Sequence, residues 1–339
     1  VPAMPIGNSG RVTKDLNEVL YVAGKEKVLE LILDAKDSPV PSVADLSDVE
    51  PTEYEDVDGV TFGLKAIDDE LMRLFFGTLT IISGQPGAGK SSLLTQLMCN
   101  SLDHDIKAWI FSGELPNGVE KSWFNYIFAG PRNVEDAISR RGNPYKKISS
   151  TTLGAINKTY KGQWYIYRDD YDNVLDNLIA SMTDTVRKYG TRCLILDNFM
   201  CIDTDSSDEE LRSQTQTIKR LIKFAKKYQV AVILVCHPRK MDASTNVGIY
   251  DIAGTSNIVN LAHRTIGLRR VTDAERENAA KFSEKRRRLL KYDVIVTIVK
   301  DRMFGRQNID IGLYYDQASR RFFGDMDEYD RRFSWDTKS

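Results

Sequence analysis

The 339-residue chain is poor in cysteine, histidine and proline, with four, three and ten residues respectively. The cysteines, Cys99, Cys193, Cys201 and Cys236, are scattered and form no C-x-x-C pair. That spacing predicts neither a disulfide framework nor a zinc site. Three of them lie in apolar runs and read as reduced core thiols of a reducing compartment. No apolar stretch approaches the ~18 residues of a membrane span, and no signal peptide is visible. An excess of one charge is also missing: 47 Lys and Arg face 48 Asp and Glu, a net charge of −1. A globally basic, nucleic-acid-coating protein is therefore not expected, although a ring or groove can hide basic surface locally. The first residue is Val1 rather than Met, which suggests a fragment or a processed chain.

What is present begins with "IISGQPGAGKSS", Ile81–Ser92. The pattern G-x-x-x-x-G-K-S runs from Gly84 to Ser91. A β-branched, apolar run precedes it and a good helix start, "SSLLTQLM", follows. This strand–loop–helix context is what a phosphate-cradling loop requires. Glycines at 84, 87 and 89 let backbone N–H groups turn toward an anion, and the helix N-terminus adds partial positive charge. Lys90 is expected to reach the β/γ-phosphates and Ser91 to ligate Mg²⁺.

Organisation follows from alternation. Residues 13–36 look helical, with an apolar stripe at Val28, Leu29, Ile32, Leu33 and Ala35. Between Asp37 and Gly59 lie eight acids, three prolines and no Lys or Arg, the composition of an extended linker. From Thr61 onward strands and helices alternate. Strands are expected at Thr78–Ser83, Lys107–Ser112, Trp164–Tyr167, Cys193–Asp197, Ala231–Cys236, Thr265–Leu268 and Asp293–Val299, with a closing hairpin after Ile309. The pattern predicts an α/β fold on a mostly parallel sheet. The expected divisions are 1–36, a linker 37–60, a core 61–325 and a tail 326–339.

Several strand ends carry chemistry. Asp197 closes "RCLILD", where open α/β sheets bind ligands, and reads as a magnesium carboxylate or a turn cap. Glu114, in "AWIFSGELP", reads as a base for the attacking water or as a surface acid. His237, in "AVILVCHPRK", reads as a γ-phosphate sensor or a structural histidine. The strand "DVIVTIVKDR" runs into Lys300 and Arg302, cations with no evident local acid except Asp301. A phosphate would serve as acceptor, and a solvated strand end is the alternative.

Together these segments resemble the RecA-like core of DnaB-type replicative DNA helicases, and within that family the phage primase-helicase and mitochondrial Twinkle branch. The likeness covers roughly residues 58–325. "TFGLKAIDDELMRLFFGTLTIISGQPGAGKSSL", "FSGELP", "LILDNF", "VCHPRK" and "IVKDRMFG" are similar to the family's motifs in their order. The resemblance implies a RecA-like P-loop NTPase fold and NTP-driven translocation on single-stranded DNA. It implies a hexameric or heptameric ring, with hydrolysis of ATP or dTTP with Mg²⁺ at subunit interfaces. The nucleotide would lie on Gly84, Gln85, Pro86, Gly87, Ala88, Gly89, Lys90, Ser91 and Ser92, with Ser91 and Asp197 on the metal. Glu114 would be the catalytic base and His237 the sensor. Arg302 would be an arginine finger acting in trans, with Lys300 its companion. "IGLRR" and "LYYD" are similar to the segments that sandwich the base, implying Arg270 and Tyr315.

The amino-terminal "KDLNEVL" resembles the end of a Toprim-type primase domain leading into a linker helix. A primase domain and a replicative polymerase are implied further partners. The implied compartment is the cytoplasm of a bacterial or phage-infected cell, or an organelle matrix, with no membrane. Departures are visible. The loop after the sensor strand is short of cations, leaving DNA contact to Arg239, Lys240 and amides near Gly254. His263 stands where an acid is usual. The acidic run Asp203–Glu210 reads as a helix start capped by Ser206 or Ser207. The six cations of Lys281–Lys291 read as a solvated face or as a contact to DNA or a neighbour. A recombination ATPase of the RecA/RadA type and a regulatory ring ATPase are the alternative functions.

Overall fold

The computed structural model describes residues 4–6, 11–34, 40, 42–203, 210–238 and 256–337. The chain forms two units, Val1–Asp56 and Val57–Ser339. In the first, helix α1 (Leu16–Leu33) is capped by Asp15 and broken at Gly24, whose φ is 81°. Val19 and Leu31 are its buried residues, whereas Leu29, Ile32 and Leu33 of the expected stripe are exposed.

The second unit starts with a small ladder, β1 (Gly59–Val60) and β2 (Leu74–Phe75), around helix α2 (Lys65–Leu71). Then follow β3 (Leu79–Gly84), α3 (Lys90–Asp103), β4 (Ala108–Ser112), α4 (Asn117–Ala129), the hairpin β5 (Val134–Ile138) and β6 (Pro144–Ile148), α5 (Ser150–Thr159) and β7 (Trp164–Ile166). Next come α6 (Leu175–Tyr189), β8 (Cys193–Asp197), α7 (Glu210–Tyr228), β9 (Ala231–Cys236), α8 (Ser256–Leu261) and β10 (Arg264–Arg270). The chain closes with α9 (Asp273–Glu277), α10 (Glu284–Leu289), β11 (Val294–Asp301), β12 (Ile309–Asp316), β13 (Arg321–Phe323), α11 (Met326–Tyr329) and α12 (Ser334–Thr337).

Nine strands form one sheet in the order β13-β12-β11-β10-β3-β9-β8-β4-β7. The six from β10 to β7 are mutually parallel, and β11, β12 and β13 add antiparallel strands at one edge. The mostly parallel α/β fold is thus the one the alternation predicts. Both faces are covered, which is why the central strands read as continuous apolar runs. Along β3 alternate residues serve opposite faces. Ile82 packs with Leu93, Leu97, Phe124 and Phe128 of α3 and α4, while Ile81 packs with Ile218, Leu221 and Phe224 of α7. Each such buried side chain contributes about 2 kcal/mol.

The segment expected to be a tail is part of this core. Phe333 and Trp335 are buried, and Trp335 Nε1 donates to the Phe128 carbonyl at 2.8 Å. Two aromatic side chains found their partners on α4, about two hundred residues away, which no local pattern announces. Three of the four thiols are buried and the fourth is half-buried; none is in a disulfide. Among the described residues no helix is long and apolar enough to cross a membrane, and no cluster of His, Cys, Asp or Glu has metal-holding geometry.

Candidate nucleotide site at the sheet edge

The C-terminal ends of β3, β4, β8 and β9 converge on one edge of the sheet, the position where parallel α/β sheets bind ligands. Each glycine of the loop has its own reason. A Cβ at Gly84 would sit 2.4 Å from the Leu268 carbonyl oxygen of β10, so this residue is set by the approach of two strands. Gly87 and Gly89 have φ of 76° and 94°, a region L side chains rarely adopt. Gly89 is also the N-cap of α3, which leaves the first N–H groups of that helix without a capping side chain and turned to the loop.

Lys90 folds back on its own loop. Its Nζ donates to the carbonyls of Gly84 at 2.7 Å and Gln85 at 3.1 Å. Burial holds its pKa below the usual lysine value, opposed by the charges of Asp197 and Glu114. Ser91 Oγ donates to Asp197 Oδ2 at 2.8 Å. A hydroxyl and a carboxylate oxygen side by side are hard oxygen donors of the kind Mg²⁺ takes through one or two protein ligands, so the set fits that ion. Burial raises the Asp197 pKa, and the Ser91 hydrogen bond opposes the shift.

Glu114, beyond β4, and His237, beyond β9, meet at this edge: His237 Nε2 lies 2.9 Å from Glu114 Oε1. Asn198, which follows Asp197 through a cis peptide bond, joins them. Its Nδ2 donates to Glu114 Oε1 and lies 3.0 Å from His237 Nε2. Asn198 Oδ1 accepts from the Met200 N–H at 2.8 Å, which fixes the amide's orientation. The sequence reading missed Asn198; its place directly after the strand-ending Asp was the available signal.

A second omission is Glu120 on α4, 1% exposed. Thr95 Oγ1 donates to its Oε1 at 3.2 Å and to the Ser91 carbonyl at 2.7 Å, so one hydroxyl links it to Ser91. Its Oε2 makes no hydrogen bond of normal geometry among the described residues, although the Ser112 side chain is close enough to oppose the rise in its pKa. Burial, reinforced by the charge of Asp197, pushes its pKa up to about 7.

Arg270 ends β10 two residues past Leu268, the partner of Gly84, and is exposed. Tyr315 lies on the same edge, with its hydroxyl 3.4 Å from Ser92 Oγ and its N–H on Asp293 Oδ2 at 2.9 Å. The loop, Asp197, Glu114, His237, Arg270 and Tyr315 therefore share one edge. Arg239, Lys240 and Gly254, expected to contact DNA, lie outside the described residues, as do Ser206 and Ser207.

Lys300 and Arg302 are elsewhere. β11 runs antiparallel to β10, so its last residue, Asp301, pairs with Arg264 at the start of β10, level with Thr80. That is the opposite edge, four residues or about 13 Å back along the strands from Gly84. Asp301, the one acid adjacent in sequence, is occupied by buried Arg264 at 3.0 Å. Lys300 Nζ instead donates to the carbonyls of Val259, Asn260 and Ala262 at 2.7, 3.0 and 3.3 Å, at the C-terminal end of α8. Arg302 donates to the Asn260 carbonyl as well. Burial, then the charge of Arg302, lowers the Lys300 pKa to about 8.

Two further positions have structural explanations. His263 Nδ1 accepts from the Leu79 N–H at 3.1 Å, and burial lowers its pKa to about 4, so it is a neutral cap on β3. In the basic run, Arg286 turns inward to Glu275 at 3.0 Å, and Arg269 reaches the same buried carboxylate at 2.9 Å. Arg288 pairs with Glu284, and Lys281, Lys285, Arg287 and Lys291 are exposed.

A family model described as an AAA domain matches residues 49–243. The Twinkle homolog protein, chloroplastic/mitochondrial, of Arabidopsis thaliana is 24% identical over 286 residues, covering 78% of this chain and 38% of that protein. This chain thus spans well under half the length of that curated relative. Among solved structures, one described as an ATPase domain aligns over 92% of this chain and 99% of its own, with a TM-score of 0.63 and 17% identity. A DnaB-like replicative helicase, whose structure was described with its interactions with primase, aligns over 91% of this chain and 73% of its own, with a TM-score of 0.64 and 18% identity.

Proposed function

The chain belongs to the AAA-domain family and has the ATPase-domain fold of DnaB-type replicative helicases; on that premise we propose that it is an NTP-hydrolysing DNA helicase motor. It moves along single-stranded DNA as a hexameric or heptameric ring and hydrolyses ATP or dTTP at the interfaces between subunits.

The observation that carries this reading is the separation of Arg302 from the phosphate loop. An arginine about 13 Å back along the sheet cannot complete its own subunit's site. A neighbour's arginine can complete it, and a ring presents each subunit's finger to the next. The finger would leave the Asn260 carbonyl and meet the γ-phosphate across the interface.

Within one subunit the proposed roles rest on the residues gathered at this edge and on the family resemblance of their motifs. The loop amides and Lys90, released from its own carbonyls, bind the phosphates. Ser91 and Asp197 hold Mg²⁺, which when bound neutralises charge developing on the phosphates. Glu114 takes the proton of the attacking water, and His237, the γ-phosphate sensor, joins Asn198 in orienting that carboxylate. Arg270 and Tyr315 flank the base. Arg239, Lys240 and amides near Gly254 contact the strand. The exposed Leu29, Ile32 and Leu33 of α1 pack on an adjacent subunit, and residues 1–36 would continue from a primase-like domain. Primase and a replicative polymerase are proposed partners, in bacterial or phage-infected cytoplasm or an organelle matrix.

The test mixes two inactive variants. Arg302→Ala and Lys90→Ala subunits should each fail to hydrolyse NTP alone. Together they should recover part of the rate, because some interfaces then pair an intact loop with an intact finger. A finger in trans contributes a factor on the order of 10³ or more. No recovery despite confirmed co-assembly would exclude a trans finger. Recovery without stimulation by single-stranded DNA would favour a regulatory ring ATPase.

A further inference from the structure

The hairpin β5–β6 stands outside the nine-stranded sheet as a two-stranded ladder of its own. Its root is anchored. Ile148 is buried, Val134 packs against the core, and Tyr126 Oη of α4 donates to the Lys146 carbonyl at 2.6 Å. Its stem is electrically neutral: Asp136 pairs with Lys146 at 2.7 Å, and Glu135 lies opposite Lys147. Its turn is well defined, with Gly142 at φ 80° and the Ser139 N–H donating to the Asn143 carbonyl at 2.8 Å.

The apex is different. Arg140 and Arg141 are both exposed, and neither makes an ion pair or hydrogen bond with a described residue. No acid lies between Asp136 and the end of the hairpin, so two uncompensated guanidinium groups sit on a braced arm. Beside them Ile138 is 76% and Tyr145 46% exposed. The register sets Tyr145 opposite Ala137, so Ile138 and Tyr145 point to opposite faces of the ribbon. They do not form one apolar patch, which a protein interface would need at its centre. Paired arginines for phosphates and an isolated ring for a base match a nucleic-acid strand lying across the apex.

We propose that the β5–β6 hairpin is a second nucleic-acid contact, separate from the nucleotide edge, in which Arg140 and Arg141 bind backbone phosphates and Tyr145 stacks on a base. It rests on the reading of the chain as a DNA-acting motor and adds a place where DNA is held. The phosphates belong either to the translocated strand or to the other strand of a fork.

The test uses the full chain with two fluorescent probes, a single-stranded oligonucleotide and a forked duplex containing it, titrated across salt concentration. Arg140→Ser/Arg141→Ser should flatten the log–log salt slope by about 1.4 for a single strand or about 1.8 for a duplex arm. Arg140→Lys/Arg141→Lys should keep the slope, and Tyr145→Ser should weaken binding about five-fold or more. Hydrolysis without DNA should be unchanged in all three. A loss on both probes assigns the hairpin to the translocated strand, and a loss on the fork alone assigns it to the other strand. Unchanged slopes and affinities on both probes, with a wild type that binds DNA, overturn the hairpin proposal while leaving the motor reading intact. A wild type that binds neither probe refutes both.

Discussion

Replacing Glu120 with Gln should make the protein more stable at alkaline pH than at acid pH, relative to wild type. The carboxyl is buried and Asp197 adds a second negative charge nearby, which together outweigh the hydrogen bond from Thr95 and the nearby Ser112 side chain. Its pKa therefore rises from 4.5 to about 7 on folding. Below about pH 4.5 the folded and unfolded chains both hold the proton, and Glu120 resembles Gln. Between 4.5 and about 7 the unfolded chain releases its proton while the folded chain keeps it, so stability falls as pH rises. Above about 7 the folded chain has lost its proton too, and the loss is complete. At ~1.4 kcal/mol per pH unit, the total comes to about 3 kcal/mol. Gln cannot ionise and escapes this loss. Urea unfolding of both proteins, without nucleotide or metal, measures it. The stability of Glu120→Gln minus wild type should grow by about 3 kcal/mol between pH ~4.5 and ~8. A difference that stays constant across that range would refute a buried carboxyl that must ionise beside Asp197.

Other expectations are equally direct. Glu114→Gln should bind nucleotide normally and hydrolyse it about 10²–10⁴-fold more slowly, measured by equilibrium binding beside single-turnover rates; equal loss of binding would make Glu114 a structural support. Gly312→Ala should destabilise the core by about 1–3 kcal/mol in urea, since the new Cβ would lie 1.9 Å from Tyr292 Cδ2; unchanged stability would mean that the ring moves freely. Lys300→Met should leave the Val259 and Ala262 carbonyls at the end of α8 without this donor, while Asn260 keeps Arg302, and cost about 1–3 kcal/mol, seen as faster hydrogen exchange in Val259–Ala262. Unaltered exchange there would show that the lysine does not hold the helix end.

The phosphate loop was legible because everything that defines it is contiguous. Strand, glycines, lysine and helix start fall within about twenty residues, and their conformations are set by local backbone sterics. Asp197 and Glu114 were legible for a related reason: a continuous apolar run must be a buried strand, and an acid that ends it, as Asp197 does, or follows it by two residues, as Glu114 does, must lie at the sheet edge. The hairpin β5–β6 left no such trace. "VEDAI" and "PYKKI" are polar, mostly exposed and without a buried face, so no period of two marks them. Nor does the sequence show that Asn198 meets Glu114 across 84 residues, or that Glu120 shares Thr95 with Ser91. Arg302 is the clearest case. The sequence shows two cations after a strand and one acid beside them. Only the antiparallel turn of β11 against β10 puts those cations at the far edge, and only the packing of Arg264 removes that acid from their reach. Local chain geometry determined the shape of the phosphate loop. Strand direction and long-range pairing, which depend on how distant segments share one core, decided which groups in the same chain can reach it.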